Sequence, residues 1–254
     1  MSFQITTAFV QQYKDNVMML VQQKGSRLRG TVTEEQINGR FGYFEQIGSV
    51  DARTVTERHA DSPLISTPHA RRRVELQDWD WGDLIDKPDK VRTLVDFTSP
   101  YVQNAGWAMG RAIDSAIINS FFATAYTGET GSTTVAFPAA NQIAVNFSAA
   151  ANVGLTVEKL REARRLLRAG NVDVTEQLYI AVTAKQIDNM LGSTQVTSSD
   201  YNSVKALVQG EIDTFLGFRF IPTELLGVDG SSYRRVPAWS KSGMALGVGM
   251  DVVS

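Results

Sequence analysis

The spacing of apolar positions changes several times along this chain, and each change marks an element. From Thr6 to Val21 the spacing is helical. Phe9, Val10, Tyr13, Val17, Leu20 and Val21 fall within an arc of about 120° at ~100° per residue. Lys24-Gly25 ends this helix, with Gly25 a natural C-terminal cap. A terminal helix with one apolar stripe needs a surface to dock on, either its own domain or a neighbour. Phe9, Tyr13, Val17 and Leu20 are its candidate contacts.

Leu28 to Glu57 reads as extended, rich in Thr, Val, Phe, Tyr and Ile and punctuated by Gly30, Gly39, Gly42 and Gly48. A turn-rich tip follows at 60–68. The chain then returns extended through Val74, Leu76, Trp79 and Trp81. Phe41 to Leu84 is therefore expected to be one long two-stranded excursion. Arms of some 15–20 residues would reach roughly 50–60 Å at ~3.3 Å per residue. A compact globule of this length has a radius of gyration of only about 18 Å. A lone ribbon is marginal in water, so this one must fold back on its own body or lie on another subunit.

Helical spacing resumes after Ser99-Pro100, an N-cap followed by proline at the first helical position. Ala105, Met109, Ile113, Ala116, Ile117 and Phe121 form the expected stripe to about Ala123. Gly106 and Gly110 thin one face for close packing. Tyr126 to Ala151 reads as a small-residue loop, then strand-like Ile143, Val145 and Phe147. Thr156 caps a helix that stops at Gly170. Gln177–Thr183 reads as a buried strand and 184–191 as a short helix. Another helix is expected near 203–209. Leu216, Phe218 and Phe220 alternate as a strand ending at Pro222, and Met244–Met250 is a final strand. Helices and strands mix without a βαβ rhythm, so the expected class is α+β.

Charge singles out one region. From Asp51 to Pro100, 18 of 50 residues are charged, against 34 of the remaining 204. Such a stretch is no core, and it is too strand-like for a loose linker. Net charge is −2, so nucleic-acid contact would be local and unspecific. With 43% hydrophobic residues there is ample material for a core. No apolar run approaches the roughly 20 residues of a membrane span, and the N-terminus lacks a signal-peptide pattern. The expectation is a soluble protein made inside the cell.

Chemistry is sparse. There is no cysteine, and the two histidines, His59 and His69, both lie in the charged excursion. No H-E-x-x-H, G-x-S-x-G, P-loop or G-x-G-x-x-G pattern occurs. Asp78, Asp80 and Asp83 read as a solvated face before a cation cluster. Arg71, Arg72 and Arg73, flanked by Glu75, Asp78 and Asp80, read as an inter-subunit contact that pairs with carboxylates. Arg161, Arg164, Arg165 and Arg168 form a basic stripe on one helix, either solvated or weakly phosphate-facing. No cofactor, metal or catalytic residue is expected.

The order of these elements resembles the major capsid proteins of tailed double-stranded DNA bacteriophages, with the Hong Kong 97-type fold. The likeness is carried by Thr67-Pro-His-Ala-Arg-Arg-Arg-Val, Trp81-Gly-Asp-Leu-Ile-Asp, Ala108-Met-Gly-Arg-Ala-Ile-Asp, Ser198-Ser-Asp-Tyr-Asn-Ser-Val-Lys-Ala-Leu-Val and Glu211-Ile-Asp-Thr-Phe-Leu-Gly-Phe. It implies an N-terminal arm (1–40), an extended loop (41–84), a peripheral domain with a long spine helix (85–170), an axial domain (171–240) and a return strand (241–254). It implies a subunit that forms hexamers and pentamers in a virion shell around packaged double-stranded DNA and is assembled in the host cytoplasm. Scaffold, portal and decoration proteins are its implied partners, and no membrane. Some members link the loop to a neighbour through a lysine. Residues 25–86 hold no lysine, which stands against that chemistry here. Some carry a long N-terminal scaffolding segment. With no room for one here, a separate scaffold is expected, and further residues are expected beyond Ser254. An encapsulin-like shell holding protein cargo is the alternative, and an enzyme with an unrecognised site a remote one.

Overall fold

The computed structural model describes residues 22–55, 57–58, 64–82, 98–170, 172–192 and 214–249. In chain order the strands are β1 Thr33–Gln36, β2 Phe41–Ile47, β3 His69–Glu75, β4 Ala125–Thr127, β5 Thr133–Val135, β6 Leu178–Val182, β7 Thr214–Phe215, β8 Phe218–Pro222, β9 Ala238–Ser240 and β10 Ala245–Val248. The helices are α1 Thr98–Ser120, α2 Val157–Ala169 and α3 Ala184–Leu191. The expected helices at 6–21 and 203–209 lie outside the described residues. The chain divides into two compact units, Met1–Ser26 with Asp78–Ile113, and Arg27–Gln77 with Asp114–Ser254.

In the first unit the chain before Arg27 is stitched to α1. Arg111 donates from Nη1 to Gln22 Oε1 at 2.9 Å and to the Gln23 carbonyl at 3.0 Å. Gln22 Nε2 donates to Asn104 Oδ1 at 3.0 Å, and Lys24 stands 5.5 Å over the Trp107 ring. Gly25 has φ +71°, the left-handed conformation expected of a cap. Gly110 has a packing reason: a Cβ there would sit 2.6 Å from Gly25 Cα. Gly106 faces open space, so the expected close approach fails at that position.

The second unit has its core between α2, α3 and a mixed sheet of order β7-β8-β6-β9. β6 and β8 run parallel, while β7/β8 and β6/β9 are antiparallel. Every residue of β6 is buried, as its unbroken apolar run requires. Leu160, Leu178, Val182, Met190, Phe218 and Phe220 form its centre. Thr156 caps α2 by accepting from Lys159 N, and Thr183 with Gln186 makes a capping box on α3. Lys159 Nζ donates to the carbonyls of Val145, Val153 and Gly154 at 2.7–2.9 Å and so pins the preceding loop. Burial pushes its pKa down.

Several expectations need correction. Leu216 is not in a strand. With Gly217 it forms the β7–β8 turn, at φ 51° and 81°, the paired positive angles of a tight hairpin turn. Ile143, Val145 and Phe147 form no strand; a short 3-10 turn at Ala139–Asn141 and bends occupy that loop. The strands in this stretch are instead β4 and β5, joined through Gly128 and Gly131 at positive φ. Leu28–Glu57 is only partly extended, with a 3-10 turn at Arg29–Thr31. The final strand β10 pairs parallel with β1. On α1 the buried line is Gly110, Asp114, Ile117 and Ile118, so it is rotated from the expected stripe and contains a carboxylate. Asp114 is fully buried and accepts from the backbone N–H of Arg27 at 2.9 Å and of Leu28 at 3.0 Å.

Candidate functional site: the hairpin sheet and an arginine groove

The excursion is anchored on the subunit's own body. β2 and β3 pair in register from Phe41↔Glu75 to Ile47↔His69, and β4 and β5 extend the sheet in the order β2-β3-β4-β5. Each hairpin strand has 7 residues, roughly 23 Å at ~3.3 Å per residue. The ladder is thus about half the expected length. Its last rung is the Gly48 N–H donated to the Pro68 carbonyl at 2.8 Å. Pro68 has no N–H to return. No strand occurs among the described residues from 49 to 68, or from 76 to 82.

Pleating sorts the side chains. One face carries Phe41, Tyr43, Glu45, Arg71, Arg73 and Glu75. Arg71 Nε donates to Glu45 Oε1 at 2.6 Å, and this bond and the Glu45 charge raise the Arg71 pKa further; Nη1 donates to the Glu129 carbonyl at 3.0 Å. Glu75 accepts from Arg40 at 2.9 Å. Arg73 lies 4.9 Å over Phe41 and 4.7 Å over Tyr126, cation–π contacts of about 0.5–1 kcal/mol each at exposed sites. The other face carries Gly42, Phe44, Arg72 and Val74. It meets β1 and β10: a side chain at Gly42 or Gly247 would collide with Ile37. Arg72 is the one charge on that face among these paired strands, and its Nη1 is closed from solvent with no acceptor.

Three expected contact residues are therefore already engaged within the subunit: Arg71, Arg73 and Glu75. The partners Glu45, Phe41 and Tyr126 escaped the sequence reading, although Phe41, Tyr43 and Glu45 show the period-two spacing that marks one strand face. Asp78 and Asp80 are exposed, and His69 is exposed at the start of β3. Among the described residues no group of acids or histidines is placed to hold a metal. Phe9, Tyr13, Val17, Leu20, His59 and Asp83 lie outside the described residues. Beyond the ladder the tip exposes large apolar side chains, with Val55 83% and Leu64 101% exposed.

The four arginines of the basic stripe do converge. Arg161, Arg164, Arg165 and Arg168 line a half-open groove of about 630 Å³ together with Val157, Phe215 and Leu216. Arg165 grips Glu162 with two hydrogen bonds, 2.8 and 2.6 Å, holding that carboxyl below its ordinary range. Arg168 closes the helix end on the carbonyls of Val172, Asp173 and Val174. Arg161 and Arg164 remain exposed and unpaired among the described residues.

The fold resembles the capsid protein of cyanophage P-SCSP1u at TM-score 0.67 and 18% identity, covering 88% of this chain and 70% of that one. It resembles a Mycobacterium phage Che8 protein at TM-score 0.66 and 16% identity, covering 96% and 85%. The capsid of Ralstonia phage GP4 matches at TM-score 0.67 and 8% identity, covering 94% and 81%. No curated protein matches significantly by sequence. The phage capsid protein family model matches residues 5–254, so the chain belongs to that family. It is a phage major capsid protein of the Hong Kong 97-type fold, a structural subunit of the virion shell.

Proposed function

We propose that this capsid protein closes, as hexamers and pentamers, an icosahedral shell around the packaged double-stranded DNA of a tailed phage. The family match over residues 5–254 carries the reading and favours it over a shell for protein cargo. In this reading residues 1–40 are an arm, 41–84 the extended loop, 85–170 the peripheral domain, 171–240 the axial domain and 241–254 the return strand. Phe9, Tyr13, Val17 and Leu20 dock the arm on a neighbour. The hairpin root is held at home, and the tip beyond Gly48 works on an adjacent subunit. Its uncovered Val55 and Leu64 support this, because apolar surface of that size seeks a partner. Arg72 is turned toward β1 and β10, so Asp78 and Asp80 are the expected contact residues still exposed to a neighbour. The subunit has no catalytic activity, and its contact with DNA is unspecific. Scaffold, portal and decoration proteins complete the particle, which assembles in the host cytoplasm.

The test is to produce the full chain with its scaffold in bacteria, sediment the product, image it and extract its contents. Closed shells that fill with double-stranded DNA during infection support the reading. Shells filled with protein alone would favour the cargo alternative. A discrete small oligomer that turns over a defined substrate would overturn both.

A further inference from the structure

Several charges of the subunit are engaged internally among the described residues. On the hairpin, Arg71 takes Glu45 and Arg40 takes Glu75. On α2, Arg165 takes Glu162 and Arg168 takes backbone carbonyls. The groove wall keeps two free guanidiniums, Arg161 and Arg164, one helical turn apart. Just past β3 two carboxylates, Asp78 and Asp80, are likewise exposed and without a partner among the described residues. They alternate with Trp79 and Trp81, which are 50% and 42% exposed.

We infer that Asp78–Trp81 of one copy docks in the arginine groove of a second copy. The inference rests on the shell reading above. The spacings agree: side chains two apart in an extended peptide lie about 6.6 Å apart, and those three apart on a helix about 5–6 Å. In such a peptide the aspartates point to one side and the tryptophans to the other. The groove is lined by the α2 arginines and by apolar Val157, Phe215 and the partly exposed Leu216. The carboxylates accept from the forks of Arg161 and Arg164, and an indole packs on the apolar lining at Leu216. Duplex DNA is the competing occupant. It would leave the apolar lining at Leu216 unused, and two free guanidiniums would neutralise only two phosphates, a salt slope of about −1.8.

The test is a labelled peptide of residues 77–82 titrated into the full chain at low salt, read by fluorescence anisotropy. Wild type should bind saturably. The variant R161E/R164E should bind at least about tenfold more weakly, as should a peptide with D78N/D80N against wild-type protein. R161Q/R164Q, which removes the charge without reversing it, should weaken it in the same direction. Thermal melts of both protein variants check that the fold is kept. No saturable binding, binding indifferent to these changes, or displacement by a short DNA duplex that binds the groove more tightly would overturn the inference. Shell formation is read separately by sedimentation, so loss of the shell reading and loss of this contact are distinguishable.

Discussion

The two four-stranded sheets of the second unit are built on opposite terms. In the β7-β8-β6-β9 sheet every residue of β6 is buried and the neighbours are Leu, Ile, Val, Met and Phe. In the β2-β3-β4-β5 sheet, Phe41, Tyr43, Ile47, Tyr126 and Val135 are all exposed. That sheet is held by backbone pairing, arginine–aromatic contacts and the ion pairs of Arg71 and Arg40. The first sheet satisfies itself within one subunit. The second is anchored at its root and left unfinished at its tip, as suits a subunit of a repeated shell.

That contrast can be broken at its strong end. Phe218→Ala, in the closed core, should cost about 4 kcal/mol of unfolding free energy, read by denaturant titration. Asp114→Ala should follow at about 3 kcal/mol, because it strands the buried N–H of Leu28 and the N–H of Arg27. Leu64→Asp should change subunit stability by no more than about 0.5 kcal/mol, since the residue is fully exposed. Sedimentation should nevertheless show particle assembly abolished. Assembly at the wild-type level would mean that the tip has no neighbour.

The smallest effect concerns pH. Arg165 lowers the Glu162 pKa, and the Thr175 hydroxyl and N–H lower that of Asp173. Carboxylates depressed in the folded state add stability that is present above their ordinary values, near pH ~4, and lost as pH falls through the folded values. Melts taken across that window should fall with acid. Glu162→Gln and Asp173→Asn should each flatten the fall slightly.

The closed core was the legible part of the chain. Gln177–Thr183, Thr156 and Gly170 announced their roles because burial, capping and helix ends leave local marks. The arginine stripe was legible for the same reason: positions 161, 164, 165 and 168 share one face by helical geometry alone. What escaped depends on contacts distant in sequence. Asp114 lies off the expected apolar stripe, and its partners lie more than 80 residues away. Leu216 kept strand alternation yet sits in a turn, because Gly217 beside it completes a hairpin. The hairpin's length was overread because charged, β-branched residues look extended whether or not a partner strand pairs with them. Gly110 and Gly106 look alike in the sequence, and only the backbone of Gly25 tells them apart.

The most direct measurement is amide hydrogen exchange on free subunits and on assembled particles. The described residues 49–55 and 64–67 should exchange rapidly in the free subunit and become protected in the particle, while β6 stays protected in both. Equal exchange of these residues in the two states would contradict the claim that this hairpin is completed by its neighbours.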